Sequence, residues 1–271
     1  MVGLSPRASG VPWLEERSAG IGAASIHYQV AGDGPPVVLI HGLAGSGRWW
    51  ARNVPVLAAR YRVYVVDLIG FGGSRRAGRF VLAEAAKRLA DWMASVDIPR
   101  ASVVGHSMGG LIAVDLAATL PERVERLVLV DAATFSPGPD YGRHAVGLLR
   151  WLRYAPLGFL PVLLADAWRA GPFTLASAAR ELLAADVSPR LARVRAPTLI
   201  VWGEHDSVVP PAVGEQLRAQ VPGSRLVVIP GAAHNPMWDR PAEFNRALLE
   251  FLAEESVASA PVGSRNGAAA C

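Results

Sequence analysis

The chain has 271 residues, 51% of them hydrophobic and 18% charged, a balance that supports a substantial buried core and excludes global disorder. Its formal charge is +4, but the arginines are scattered, the longest basic run is Arg75-Arg76 and Lys87 is the one lysine, so no basic stripe marks a nucleic-acid interface. The single cysteine, Cys271, excludes an intramolecular disulfide and any Cys-based metal cluster.

The first residues lack an apolar signal-peptide core, and a cytoplasmic protein is expected. Residues 1–15 and 255–271, small and polar, read as a disordered N-terminus and tail. A strand or hairpin is expected around Ile21 to Ala31. Then come short apolar runs, each closed by Gly, Asp or His: PPVVLIHG, YRVYVVDLIG, ASVVGHS, ERLVLVDA, PTLIVWGEHD and SRLVVIPGAAH. Continuous apolar character over five or six residues suits parallel strands covered on both faces. The amphipathic stretches between them, such as FVLAEAAKRLADWMASVDI, are helical. The alternation predicts an α/β fold with a doubly wound, mostly parallel β-sheet. Residues 134–194 break the rhythm with helical patterns punctuated by Pro and Gly, so an inserted helical cap is expected between core segments 16–133 and 195–254. Its longest apolar stretch, Tyr154 to Ala165, is too short to span a bilayer and is interrupted by proline and glycine. No integral membrane segment is expected; contact of this Arg-flanked stretch with a membrane surface is the secondary reading.

The sharpest local signal is Gly105-His106-Ser107-Met108-Gly109, a G-x-S-x-G pattern between a strand-like run and a helical one. Such a turn holds the serine in a strained conformation above the sheet edge, where the helix N-terminus favours developing negative charge. Serine needs a base. Of the six histidines, His234 follows the last strand-like run, and strand ends share one edge of an open α/β sheet. The orienting acid is Asp206, at the end of PTLIVWGEHD; Asp131, which also ends a strand, is the alternative. Asp67 reads as structural, and His205 as solvated or packed. The two oxyanion N–H donors expected of this arrangement are those of Met108 and Leu43. His41 and Gly42 shape the Leu43 loop, and Trp49 and Trp50 pack beneath it. No metal or cofactor is required.

From about Ser25 to Leu252 the chain resembles the α/β-hydrolase superfamily, on the stretches HGLAGSG, DLIGFGGS, GHSMGG, WGEHDSVVP and GAAHNPMWDRPAEFN. The resemblance implies a triad of Ser107, Asp206 and His234, oxyanion donors Leu43 and Met108, and a helical cap. Ser107 at the elbow disfavours members that use Asp there, such as haloalkane dehalogenases and epoxide hydrolases. Carbon–carbon bond hydrolases of meta-cleavage type share the triad, but typically carry Asn where this chain has His106 and an aromatic residue where it has Asn235. A carboxylesterase or lipase-like enzyme acting on a small hydrophobic substrate is therefore expected first. A carbon–carbon hydrolase and a slow-turnover ligand receptor are the alternatives.

Overall fold

A computed structural model describes residues 14–135 and 146–254, apart from 148 and 152. Eight strands form one sheet: β1 (Glu15–Ile21), β2 (Ala24–Ala31), β3 (Pro36–Ile40), β4 (Arg62–Val66), β5 (Ala101–His106), β6 (Val124–Val130), β7 (Thr198–Gly203) and β8 (Arg225–Ile229). They lie in the order β1-β2-β4-β3-β5-β6-β7-β8. β1 and β2 form an antiparallel hairpin and β2 pairs antiparallel with β4, while every pairing from β4 through β8 is parallel. The apolar runs read from the sequence are these parallel strands; all six residues of β5 and of β7 are buried.

β1 begins at Glu15, which corrects the N-terminal boundary placed after residue 15. The strand EERSAGI is an almost wholly exposed sheet edge, so it carries no apolar run to announce it. Residues 1–13 and 255–271, read as disordered ends, lie outside the described residues.

Helices among the described residues include α1 (Val54–Leu57), α2 (Leu82–Ser95), α3 (Met108–Thr119), α4 (Leu160–Ala170), α5 (Pro172–Ala184), α6 (Ser188–Leu191), α7 (Pro211–Gln220), α8 (Pro236–Asp239) and α9 (Pro241–Ala253). Two apolar layers sandwich the sheet, one including Leu89, Met93, Ile112 and Leu116 and the other Trp50, Leu57, Phe244 and Leu248. α3 is buried along most of its length, which explains a sequence apolar all round rather than on one stripe. Between β6 and β7 the chain leaves the sheet for α4, α5 and α6; no strand occurs there among the described residues. Part of the expected insertion, residues 136–145, lies outside them.

Close backbone approach governs the β5–α3 junction. A Cβ on Gly105 would sit 2.3 Å from the carbonyl oxygen of Gly109, and one on Gly109 would sit 2.6 Å from those of Ile40 and His41. Backbone atoms cannot yield as a flexible side chain can. Gly105→Ala is expected to lower stability by about 1–3 kcal/mol through overpacking. Urea denaturation should show a lower midpoint at unchanged slope.

Candidate functional site

Ser107 links β5 to α3 with φ +52° and ψ −115°, a conformation that L-residues seldom adopt. Its N–H donates to the Val130 carbonyl at 2.9 Å. Its own carbonyl accepts the N–H groups of Gly110, Leu111 and Ala133, at 2.9, 3.2 and 3.2 Å. The turn is thus tied both to its own helix and to β6. The strain lifts Oγ out of the sheet toward the loop after β8.

That loop supplies His234, whose Nε2 lies 3.1 Å from Ser107 Oγ and whose Nδ1 lies 2.8 Å from Asp206 Oδ2. The other oxygen of Asp206 accepts the N–H groups of Val208 and Val209, at 2.8 and 2.9 Å, so the carboxylate is fixed from both sides. The Asp206 side chain is fully buried and the His234 side chain 12% exposed. The Ser–His–Asp contacts expected from the sequence are therefore present as one continuous chain.

Asp131, the alternative acid, does not take the place of Asp206 against His234 Nδ1. One of its oxygens accepts the Gly203 N–H at 2.9 Å, and the carboxyl is completely buried beside Asp206. Burial, then the neighbouring Asp206 carboxylate, push the Asp131 carboxyl well above the usual range. Asp67 is structural, as expected: it receives the Gly47 and Gly73 N–H groups at 2.7 Å each and sits 3.0 Å from His27 Nδ1. These contacts outweigh burial and hold its carboxyl below the usual value. His205 is half-exposed and stacks on Tyr154 at 4.8 Å.

The loop after β3 meets the serine from the opposite side. A Cβ on Gly42 would lie 2.9 Å from His106 Nδ1 and 3.0 Å from Ser107 Cβ, so the chain carrying Leu43 runs directly against the elbow. His41 shapes this loop: Nε2 accepts the Leu68 N–H at 3.1 Å, leaving Nδ1–H to donate to the Gly42 carbonyl at 2.7 Å. Burial lowers its pKa, consistent with a neutral ring. Met108 is the first residue of α3, where an N–H has no intrahelical acceptor. Trp50 is fully buried, its ring centroid 6.2 Å from that of Phe244. Trp49 is also buried but stands between His106, at 5.6 Å, and Phe159 of the insertion, at 5.2 Å.

One contributor was missed by reasoning from the sequence. His106 is completely buried and donates Nε2–H to the His234 carbonyl at 2.7 Å, anchoring the loop that carries the base. Burial, then its neighbour His234, lower its pKa well below the usual histidine value, so it acts as a neutral donor. Its place inside the G-x-S-x-G pattern was the available signal, but the partner is a backbone atom 128 residues away.

His106, Asp131 and His234 offer ligand atoms within 4.8 Å of one another, the spacing of a metal site. Both ring nitrogens of His234 are already engaged, by Ser107 and Asp206. Three ligands would therefore require breaking one of those contacts, and the donor set does not suit a resident ion.

An open, mostly parallel sheet with a strained serine at a strand-to-helix turn, joined to a histidine and an aspartate from later strand ends, defines the α/β-hydrolase class. The chain belongs to the alpha/beta hydrolase family, whose model matches residues 37–247. It is 34% identical to a 2-hydroxy-6-oxo-6-phenylhexa-2,4-dienoate hydrolase of Burkholderia cepacia, over 86% of this chain and 93% of that one. It is 28% identical to a pimeloyl-[acyl-carrier protein] methyl ester esterase of Nitrosomonas europaea, over 82% and 97%. Among solved structures it resembles a meta-cleavage product hydrolase of Pseudomonas fluorescens, with 26% identity, TM-score 0.72 and coverage of 87% and 97%. These relatives are hydrolases, and hydrolysis is the class of activity they support here. No helix among the described residues is long and apolar enough to cross a membrane.

Asp239 gives the site loop a pH dependence. Its Oδ2 accepts the Ala233 N–H at 2.9 Å, beside His234, and burial raises its pKa to about 6 despite its backbone hydrogen bonds. A carboxyl raised in the folded state holds its proton longer there than in the unfolded chain, so its stabilising contribution is lost as pH rises through about 6. Between pH 7.5 and pH 5 this group should add about 1–2 kcal/mol of stability. Chemical denaturation of wild type and Asp239→Asn at both pH values checks this: the gain attributable to Asp239 should vanish in the variant.

Proposed function

We propose that the protein is a serine hydrolase that cleaves an ester or related acyl bond of a small, hydrophobic substrate through an acyl-enzyme. The observation that carries this reading is the unbroken hydrogen-bonded chain from Ser107 Oγ through His234 to Asp206. His234 Nε2 takes the serine proton as Oγ attacks the acyl carbon, and Asp206 holds the tautomer that leaves Nε2 free and stabilises the imidazolium. The N–H groups of Leu43 and Met108 receive the oxyanion, in water-poor surroundings where each such donor is worth about 10²–10³ in kcat. His234 then protonates the departing alkoxide and activates the water that releases the acid.

In this reading residues 16–133 and 195–254 carry the reaction and residues 134–194 act as the cap that selects the substrate. Trp49 stands against His106 and meets Phe159 of the insertion, an apolar cluster beside the elbow that supports an apolar acyl or alcohol group. No cofactor takes part.

A specific observation favours a second reading. The Burkholderia cepacia relative, at 34% identity, is by name a dienoate hydrolase, so a carbon–carbon bond is the alternative scissile bond. Addition of Ser107 to a carbonyl is common to both; only the leaving group differs.

Hydrolysis of p-nitrophenyl esters of graded acyl length should be measured beside loss of the absorbance of 2-hydroxy-6-oxo-6-phenylhexa-2,4-dienoate, with wild type and Ser107→Ala in each. Ester turnover that falls by at least about 10³-fold in Ser107→Ala is expected. Ser107-dependent consumption of the dienoate with negligible ester turnover would transfer the assignment to carbon–carbon hydrolysis. Turnover of neither would sink both.

A further inference from the structure

Helix α4 packs Leu160, Val162 and Leu163 partly buried against the core, yet its one fully buried side chain is an acid. Asp166, 1% exposed, accepts the Ser46 hydroxyl at 2.8 Å and pairs with Arg48. Its outward side is apolar. Pro161, Leu164 and Trp168 are exposed and recur at steps of three and four residues, one stripe of the helix, with Leu157 in line just before it. Leu157 is 86% exposed, Leu164 67% and Trp168 87%; Phe173, at the start of α5, is 89% exposed. A solvent-facing helix of a globular protein normally shows the opposite arrangement. Isolated exposed apolar residues need no explanation, but a stripe of them opposite a buried charge does.

Along the segment from position 146 to 180 the exposed charges have one sign. Arg150, Arg153, Arg169 and Arg180 are exposed, while the one acidic residue between positions 146 and 180 is Asp166, turned inward and neutralised. Apolar side chains that include a tryptophan, bordered by arginines with no exposed carboxylate among them, match an anionic bilayer surface. The apolar groups enter the headgroup region while the cations meet lipid phosphates. A second copy of this chain would bring like charges together.

We propose that the outer face of α4, continued by Phe173, docks this protein reversibly on anionic phospholipid membranes. This surface is separate from the catalytic groups and does not depend on which bond the enzyme cleaves.

Sedimentation of the full chain with large unilamellar vesicles tests it, comparing phosphatidylglycerol with phosphatidylcholine vesicles at low and high salt. Binding to the anionic vesicles, at least about tenfold weaker on neutral ones and weakened by high salt, is expected. The double variant Leu164→Ser/Trp168→Ser should lose at least about tenfold in vesicle affinity, and Arg150→Gln/Arg153→Gln should flatten the salt dependence. All four positions are exposed, so circular dichroism and thermal unfolding should match wild type. Absence of vesicle binding, equal binding to neutral vesicles, or binding unchanged in Leu164→Ser/Trp168→Ser would overturn the proposal. So would a salt-insensitive dimer in sedimentation velocity that the same variant abolishes, since the occupant would then be a second copy.

Discussion

The backbone of Ser107, held at positive φ, is the constraint on which the rest of this structure depends. A non-glycine residue in such a conformation costs on the order of 1–3 kcal/mol and persists only where its surroundings over-determine it. Here the surroundings do so with backbone atoms. β6 accepts the Ser107 N–H, α3 and the chain after β6 donate to its carbonyl, and β3 lies so close that only a glycine fits at position 109. The same three contacts keep β5 at the centre of the sheet and α3 pressed along it. The strain and the central packing of the fold are one feature viewed twice.

From that centre, the parallel strands deliver everything else to one edge. Asp131 and Asp206 follow β6 and β7, His234 follows β8, and the Gly42–Leu43 segment follows β3. Loops alone would not hold these groups to within a few tenths of an ångström. Buried polar groups fasten them: His41 ties the β3 loop to the start of the β4 loop, Asp67 gathers His27, Gly47 and Gly73, and His106 holds the His234 carbonyl. Asp166 reaches from the helical insertion to Ser46 in the same β3 loop, coupling the insertion to the edge where Ser107 sits. Each of these groups is buried and hydrogen-bonded, the condition under which polar side chains specify geometry rather than weaken a core.

Much of this was legible in the sequence because it rests on short-range chemistry. The continuous apolar runs marked β3 to β8, and Gly105, Ser107 and Gly109 marked the elbow. Asp206 and His234 were identifiable because strand ends in a parallel sheet share an edge. What escaped reading had no local signature. β1 is an exposed edge strand whose composition resembles a loop. His106 acts on a backbone carbonyl far along the chain. α4 reads as an ordinary apolar helix, since periodicity shows that a stripe exists but not which way it faces; only the burial of Asp166 shows that it is turned outward.

The relatives include dienoate hydrolases and an ester hydrolase, and the proposed mechanism separates what two such reactions share from what distinguishes them. In the proposed mechanism, attack on a carbonyl uses the elbow, the base, its acid and two N–H donors, and the residues proposed for these parts follow the ends of β3, β5, β7 and β8. The leaving group is a separate problem. An alkoxide needs only the proton that His234 already holds, whereas a departing carbon needs an electron sink within the substrate and groups that orient it. Those groups must come from outside the sheet edge, and the segment available is the helical insertion, joined to the core through Phe159, Trp151 and Asp166. On the proposed reading, substrate choice in this chain falls to the insertion between β6 and β7, while the elbow stays fixed by the sheet.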